Sequence, residues 1–186
     1  MIDIDADKRA LRRRMRALRG AVPDRAARTD ALLARAAALL GVDASFVLAG
    51  YVGIGSEVDP VPLLAAHHAK GGALALPVAA AESPLAFRAW RPGETLRAGA
   101  FRVPEPVGGA SIVPDVLLVP LLAFDADRWR LGQGGGHYDR TLAQPAFAQA
   151  RTIGLAFDAQ EAEAIPRDRF DRRLDAIVTE TRTLRA

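Results

Sequence analysis

Apolar positions along this chain switch repeatedly between helical and strand spacing. In residues 7–19, Leu11, Met15 and Leu18 recur every three or four positions, which predicts an amphipathic helix. Residues 24–40 predict a second helix, with Pro23 and Asp24 as start signals and Gly41 as the stop. Residues 45–52 (SFVLAGYV) form a short apolar run that reads as a buried strand, and it opens into the loop Gly53-Ile54-Gly55-Ser56-Glu57. Asp59-Pro60 starts a helix through Ala69, closed by Gly71-Gly72. Strands are expected at 73–78 and 85–90, followed by a turn at Arg91-Pro92-Gly93 and an irregular, proline-stiffened stretch at 101–106. Residues 115–122 (DVLLVPLL) read as a central strand despite Pro120 near its end. A helix is expected from about Tyr138, with Pro145 ending it or opening a short successor. Strands at 151–157 and 174–179 complete the pattern.

Strands and helices alternate, and several strands are apolar throughout. That combination predicts an α/β fold: one three-layer α/β/α domain over residues 1–186, with a mostly parallel central sheet covered on both faces. A chain of 186 residues suits one domain and can bury a real core. There is no cysteine, which excludes disulfides and thiolate chemistry, and His67, His68 and His137 are the only imidazoles. A closed His/Cys zinc site is therefore not expected. His67 and His68 are adjacent, point to different helix faces and read as structural. No apolar run is long enough to span a bilayer, and the charged N-terminus lacks a secretory core, so a cytoplasmic protein is the expectation.

Charge changes this picture in one segment. Residues 1–19 hold seven basic side chains against three acidic ones, so that segment carries +4 and the rest of the chain −1, for the overall +3. On a helical wheel Lys8, Arg12 and Arg19 flank the apolar stripe. A solvated basic face and a row of cations turned into a cleft are both open readings. Only Lys8 and Lys70 are lysine in a chain that otherwise writes positive charge as arginine.

The densest candidate chemistry lies in Arg130-Leu131-Gly132-Gln133-Gly134-Gly135-Gly136-His137-Tyr138-Asp139-Arg140. Glycines put no side chain between the main chain and a ligand, so consecutive N–H groups can converge on an anion at the start of the following helix. A plain turn or connector is the alternative. The run is not a Walker A motif, since no Lys-Ser/Thr follows, and not a dinucleotide fingerprint, since the third glycine position is His137. Asp139 repels phosphate unless a divalent cation lies between them, and Mg²⁺ is typically held by one or two carboxylates plus phosphate oxygens.

Taken in order, these pieces resemble the 5-formyltetrahydrofolate cyclo-ligase family, also called methenyltetrahydrofolate synthetases. The likeness rests on Lys-Arg-x-Leu-Arg at Lys8 to Arg12, on YVGIGSEVDP leading to Glu57, and on the segments around Trp90 and Glu105-Pro106. It rests most on VPLLAFDADRWRLGQGGGHYDRTLA, and it extends to IGLAFD and FDRRLDAIVTE. The resemblance implies an enzyme that uses ATP and Mg²⁺ to turn 5-formyltetrahydrofolate into 5,10-methenyltetrahydrofolate, with ADP and phosphate released. It carries ATP contacts onto Lys8, Arg12, Arg130, Leu131, Gly132, Gln133, Gly134, Gly135, Gly136, His137 and Tyr138. It carries folate contacts onto Val52, Glu57, Phe101 and the loop from Gln133 to His137, with Phe101 as an aromatic that stacks on the folate rings. Asp139 and Asp171 match metal ligands, and Lys8 and His137 are the expected catalytic side chains.

The chain departs from the family pattern at two positions. His137 stands where tyrosine is common, and Gln133 where an aromatic or basic residue is frequent. The implied partners are small molecules acting on a monomer, with no nucleic acid and no membrane. Two other classes remain as alternatives. One is a nucleic-acid-binding module that grips phosphates through the Arg-rich helix. The other is a non-catalytic domain that binds nucleotides or sugar phosphates.

Overall fold

The computed structural model describes residues 3–185. Helix α1 (Ile4–Gly20) begins at Asp3, whose carboxylate accepts from Ala6 N at 2.9 Å, and ends past Arg19. Helix α2 (Arg25–Leu40) follows, but Asp24 lies in the left-handed region at φ 47° and its side chain caps nothing. Strand β1 (Val47–Ala49) leads to α3 (Val61–Ala69), then to β2 (Ala73–Val78) and β3 (Ala86–Ala89). A ribbon of β4 (Leu96–Ala98) and β5 (Pro104–Pro106) precedes β6 (Val116–Pro120). The hairpin of β7 (Ala123–Phe124) and β8 (Arg130–Leu131) runs into the glycine loop and α4 (His137–Leu142). Pro145 opens a short 3₁₀ turn, and β9 (Arg151–Leu155), β10 (Ala176–Val178) and β11 (Thr183–Arg185) finish the chain.

The central sheet has seven strands in the order β11-β10-β9-β6-β1-β2-β3. The five inner strands run parallel, and β11 and β3 pair antiparallel at the two edges. Alternation along the strands splits the core in two. Leu48, Leu74, Leu76, Val116, Leu118, Ile153 and Leu155 face α2 and α3. Ala49, Ala75, Leu117, Val119 and Ile177 face the other side, packed with Phe87, Phe124, Phe147 and flanked by Tyr138 and Leu142 of α4. Both faces are therefore covered, which is why β1, β2, β6 and β10 are apolar at every position.

Helix α1 does not join either cluster. Its Met15 packs with Ala123, Leu131 and Ile165, so the helix lies against the β7–β8 hairpin at the end of the sheet where β1 and β6 finish. Its buried face differs from the one its apolar spacing predicts. Leu18 is 40% exposed, while Lys8 and Arg19 are only 6% and 4% exposed. Lys8, Met15 and Arg19 share a face, and the neighbouring loops supply polar partners that make burial of the two cations tolerable.

Two strand expectations also change. Only Val47–Ala49 of the run 45–52 pairs with β2 and β6; beyond Ala49 the chain leaves the sheet toward Glu57. The stretch 101–106, expected to be irregular, contains β5, whose prolines are tolerated because the ribbon has only one partner strand. Among the described residues no helix is long and apolar enough to cross a membrane.

Candidate active site

In open α/β sheets ligands bind beyond the carboxyl ends of the strands. Here that edge carries the loop from Gly50 to Asp59 after β1, the hairpin after β6, and the glycine loop between β8 and α4. Helix α1 closes over them. Gly134 (φ 112°) and Gly136 (φ 65°) hold backbone angles that L side chains resist, and Gly136 is the residue from which α4 starts.

The basic face of α1 is turned onto this loop. Arg12 Nε donates to Gly132 O at 3.0 Å, and Arg16 donates to Gln133 Oε1 at 2.8 Å. The Gln133 amide then reaches Glu57 Oε1 at 3.4 Å. Arg19 donates to Ser56 Oγ at 3.0 Å and Leu121 O at 3.3 Å, and pairs with Glu57 at 3.5 Å. Glu57 Oε2 also accepts from Ile54 N at 3.2 Å, which fixes the carboxylate in its own loop. Burial pulls the Arg19 pKa below its ordinary value, and Glu57 opposes that shift. Burial, reinforced by the charge on Glu57, pushes the phenols of Tyr51 and Tyr138 above the usual tyrosine range, so both stay protonated.

A second set of charges sits at the start of α1. Lys8 Nζ lies 2.9 Å from Asp168 Oδ2 and 2.7 Å from Asp171 Oδ2. Burial disfavours the ammonium, but hydrogen bonds to Asp171 and Asp168 outweigh it and hold the Lys8 pKa above its usual value. The Asp168 carboxyl is held low, first by Lys8 and then by the Phe170 N–H. Beside this pair, Asp139 Oδ1 accepts from Arg130 at 2.8 Å and from Arg172 N at 3.0 Å, and Arg130 also donates to Arg172 O. The glycine-loop helix is thereby tied to the backbone one residue beyond Asp171.

Phe101 and His137 form a wall on another side of the loop. Their ring centroids are 5.3 Å apart at 57°, and Phe101 is 64% exposed in a left-handed conformation at φ 60°. His137 Nδ1 lies 2.9 Å from Ser83 O. Arg140 Nη2 also lies 3.4 Å from Nδ1, but a carbonyl only accepts, so the shorter contact to Ser83 O is satisfied when Nδ1 carries the proton, which leaves Nε2 for a ligand.

Thus Lys8, Arg12, Arg130, Asp139, Asp171, Glu57, Gln133, Phe101 and His137 surround one glycine loop, each touching another member or the loop itself. Val52 is the exception: it packs half-buried against the core formed with α2 and α3. Sequence reading omits Arg16, Asp168, Ser56 and Tyr51. Arg16 follows from the spacing of Lys8, Arg12 and Arg19 on one face of α1. Asp168 carries no periodic signal.

Residues 4–180 match the model of the 5-formyltetrahydrofolate cyclo-ligase family. The chain is 34% identical over 139 residues to a 5-formyltetrahydrofolate cyclo-ligase of Escherichia coli K12, covering 71% of this chain and 76% of that protein. It is 36% identical over 146 residues to one of Mycolicibacterium smegmatis, covering 71% and 72%. Its structure is similar to that of Aquifex aeolicus 5,10-methenyltetrahydrofolate synthetase, with a TM-score of 0.77 and 28% identity over 96% of this chain and 92% of the other. With residues 4–180 of the 186 matching the family's model and the fold shared, the chain belongs to the 5-formyltetrahydrofolate cyclo-ligase family.

Proposed function

We propose that the chain converts 5-formyltetrahydrofolate to 5,10-methenyltetrahydrofolate, coupled to cleavage of ATP to ADP and phosphate. The observation that carries this reading is the convergence of buried or loop-bonded cations from α1 and β8 on a glycine loop flanked by two carboxylates. The names of the E. coli and M. smegmatis relatives support the same activity. Four of the seven basic side chains of residues 1–19 (Lys8, Arg12, Arg16 and Arg19) are bonded within the cleft. That arrangement favours a small-molecule phosphate over a nucleic-acid backbone.

The chemistry requires removal of a formyl oxygen, which is a poor leaving group. In this reading the formyl oxygen attacks the γ-phosphorus of ATP, and the bond to ADP breaks. The nitrogen at folate position 10 then adds to the activated carbon, its proton passes to solvent or the departing phosphate, and the C–O bond breaks to release phosphate. The protein supplies positioning and charge. The backbone from Gly132 to Gly136 lies open to the phosphates, with Lys8, Arg12 and Arg130 as their cations and Leu131, Gln133, His137 and Tyr138 framing them. Glu57, Gln133 and the middle of the loop face the folate, with Phe101 and His137 as a flat wall for its ring system. Val52 contributes to this subsite through the shape of the β1 loop. In this reading Lys8 acts on the transferring group and His137 on the formyl end.

Asp139 and Asp171 fit a Mg²⁺ ion. They come from separate segments joined through Arg172 N, and each is already balanced by a cation, Arg130 and Lys8. Among the described residues no group of three or more His, Cys, Asp or Glu gathers at one point. Mg²⁺ needs no more than one or two carboxylates when phosphates complete its shell. When bound, the ion neutralises phosphate charge as the γ-phosphoryl group transfers. The reading is tested by incubating the protein with 5-formyltetrahydrofolate, ATP and Mg²⁺. Methenyl-folate absorbance should rise in step with ADP. Nucleotide binding without either product would refute it.

A further inference from the structure

The Lys8 socket contains a carboxylate that the proposed chemistry leaves unused. Lys8 Nζ sits between Asp168 Oδ2 at 2.9 Å and Asp171 Oδ2 at 2.7 Å. The segment carrying both is folded to make them converge. Asp168 N donates to Asp171 Oδ2 at 2.7 Å, and Phe170 N donates to Asp168 Oδ1 at 2.8 Å. Two negative charges therefore meet one positive charge, although a single carboxylate would neutralise the lysine.

We infer that Asp168 is a positioning residue that keeps Lys8 in the cleft when Asp171 turns to a metal ion. The inference rests on the nucleotide and metal reading above. A divalent ion on Asp171 competes directly with Lys8 for the same carboxylate and repels the ammonium. With Asp171 as its only carboxylate partner, Lys8 would have no protein anion left to hold it and only the bound phosphate as counterion, so its position would depend on the ligand it is meant to place. It would be free to swing out of the cleft, and the phosphate would lose its fixed point charge. Asp168 removes that conflict. Among the described residues its Oδ2 accepts from Lys8 alone, and its side chain is the more exposed of the two carboxylates, at 38% against 16%. The lysine thus has one carboxylate to share with the metal and one to keep. Coordination and cation placement then become compatible rather than competing.

A variant cycle between Asp168 and Mg²⁺ tests this. Asp168→Asn and the parent are titrated with ATP by calorimetry, with excess Mg²⁺ and with a chelator. Without Mg²⁺, Asp171 still holds Lys8, so the Asn variant should bind ATP within about twofold of the parent. With Mg²⁺, affinity should fall on the order of tenfold or more, the usual effect of losing a charge-assisted hydrogen bond. Asp168→Glu keeps the charge and should recover most of that loss. Equal losses with and without Mg²⁺, or a lowered melting temperature that accounts for both, would make Asp168 merely structural and overturn the inference. A parent protein that binds ATP no better with Mg²⁺ than without would overturn the metal reading itself, and the inference with it.

Discussion

Replacing Lys8 by methionine keeps the length of the stem and removes its charge. Two carboxylates are then aimed at one point within the protein, since Asp168 and Asp171 both lie within hydrogen-bond distance of Nζ. Unit charges roughly 5 Å apart repel by about 1 kcal/mol in water and about 3 kcal/mol at an effective dielectric constant near 20. Asp168 is more than a third exposed, which screens its share, so the loss at pH 7 is set at about 2 kcal/mol, below the 3–5 kcal/mol of a wholly enclosed pair. For a chain of this size that lowers the melting temperature by about 4–8 °C.

The pH dependence has a definite sign. The Asp168 carboxyl is held low by Lys8, so its contribution is present above the unfolded pKa of about 3.9 and fades as pH falls through the folded value. The Lys8 pKa is raised, so its contribution is complete below about 10.4 and is lost only as pH climbs through the folded value. From about pH 5 to 9 both are in full force, and Lys8→Met should melt below the parent by a steady margin. In acid, protonation of Asp168 removes the repulsion in the variant and the Lys8 contact in the parent, and the margin shrinks. Circular-dichroism melts from pH 3.5 to 8 give the comparison. A variant that melts with the parent at pH 7, or a margin that stays constant into acid, would refute the role of this cluster.

The remaining expectations concern the loop and its walls. Asp139→Asn should lower turnover by roughly 10²–10³-fold, as when one preorganised electrostatic group is removed, with the melting temperature within a few degrees of the parent. Parental turnover with unchanged Mg²⁺ dependence would leave Asp139 as no more than the structural partner of Arg130 and Arg172. Gly134→Ala places a side chain at φ 112° with its Cβ 3.4 Å from the Arg12 guanidinium. It should cost on the order of 1–3 kcal/mol in stability and weaken ATP binding, read by a melt and a titration. Phe101→Ala and Phe101→Gly should both raise the KM for 5-formyltetrahydrofolate several-fold, since an aromatic contact is worth about 0.5–1.5 kcal/mol. The glycine variant should melt higher than the alanine variant because it relieves the left-handed backbone; equal melts would deny that strain.

Much of this fold could be read from spacing alone, and the failures share a cause. The runs at Ala73–Val78, Ala86–Ala89 and Arg151–Leu155 are apolar enough to declare themselves as strands. Strands β4, β5, β7, β8 and β11 are two or three residues long, and only their pairing partners make them strands. The face of α1 is only half legible for a related reason: Leu11 and Met15 pack as their spacing predicts, while Leu18 does not. Spacing counts apolar side chains, whereas burial of Lys8 and Arg19 is made possible by acceptors on Asp168, Asp171, Ser56, Glu57 and Leu121, more than 30 residues away in sequence. Within the site, the glycine loop and the unusual Lys8 were visible in composition and order. Asp168 was not, because PRDRFDRRLD has several carboxylates and no periodicity to distinguish the one that meets Lys8.

The central claim is that the formyl oxygen leaves as part of phosphate, and an isotope can follow that atom. 5-Formyltetrahydrofolate carrying heavy oxygen in its formyl group is incubated with the protein, ATP and Mg²⁺, and the released phosphate is analysed by mass spectrometry. Transfer through a phosphorylated formyl group places one heavy oxygen in each phosphate, with one methenyl product formed per ADP. Phosphate free of the label, while methenyl product accumulates, would mean that ring closure proceeds without phosphorylation of that oxygen.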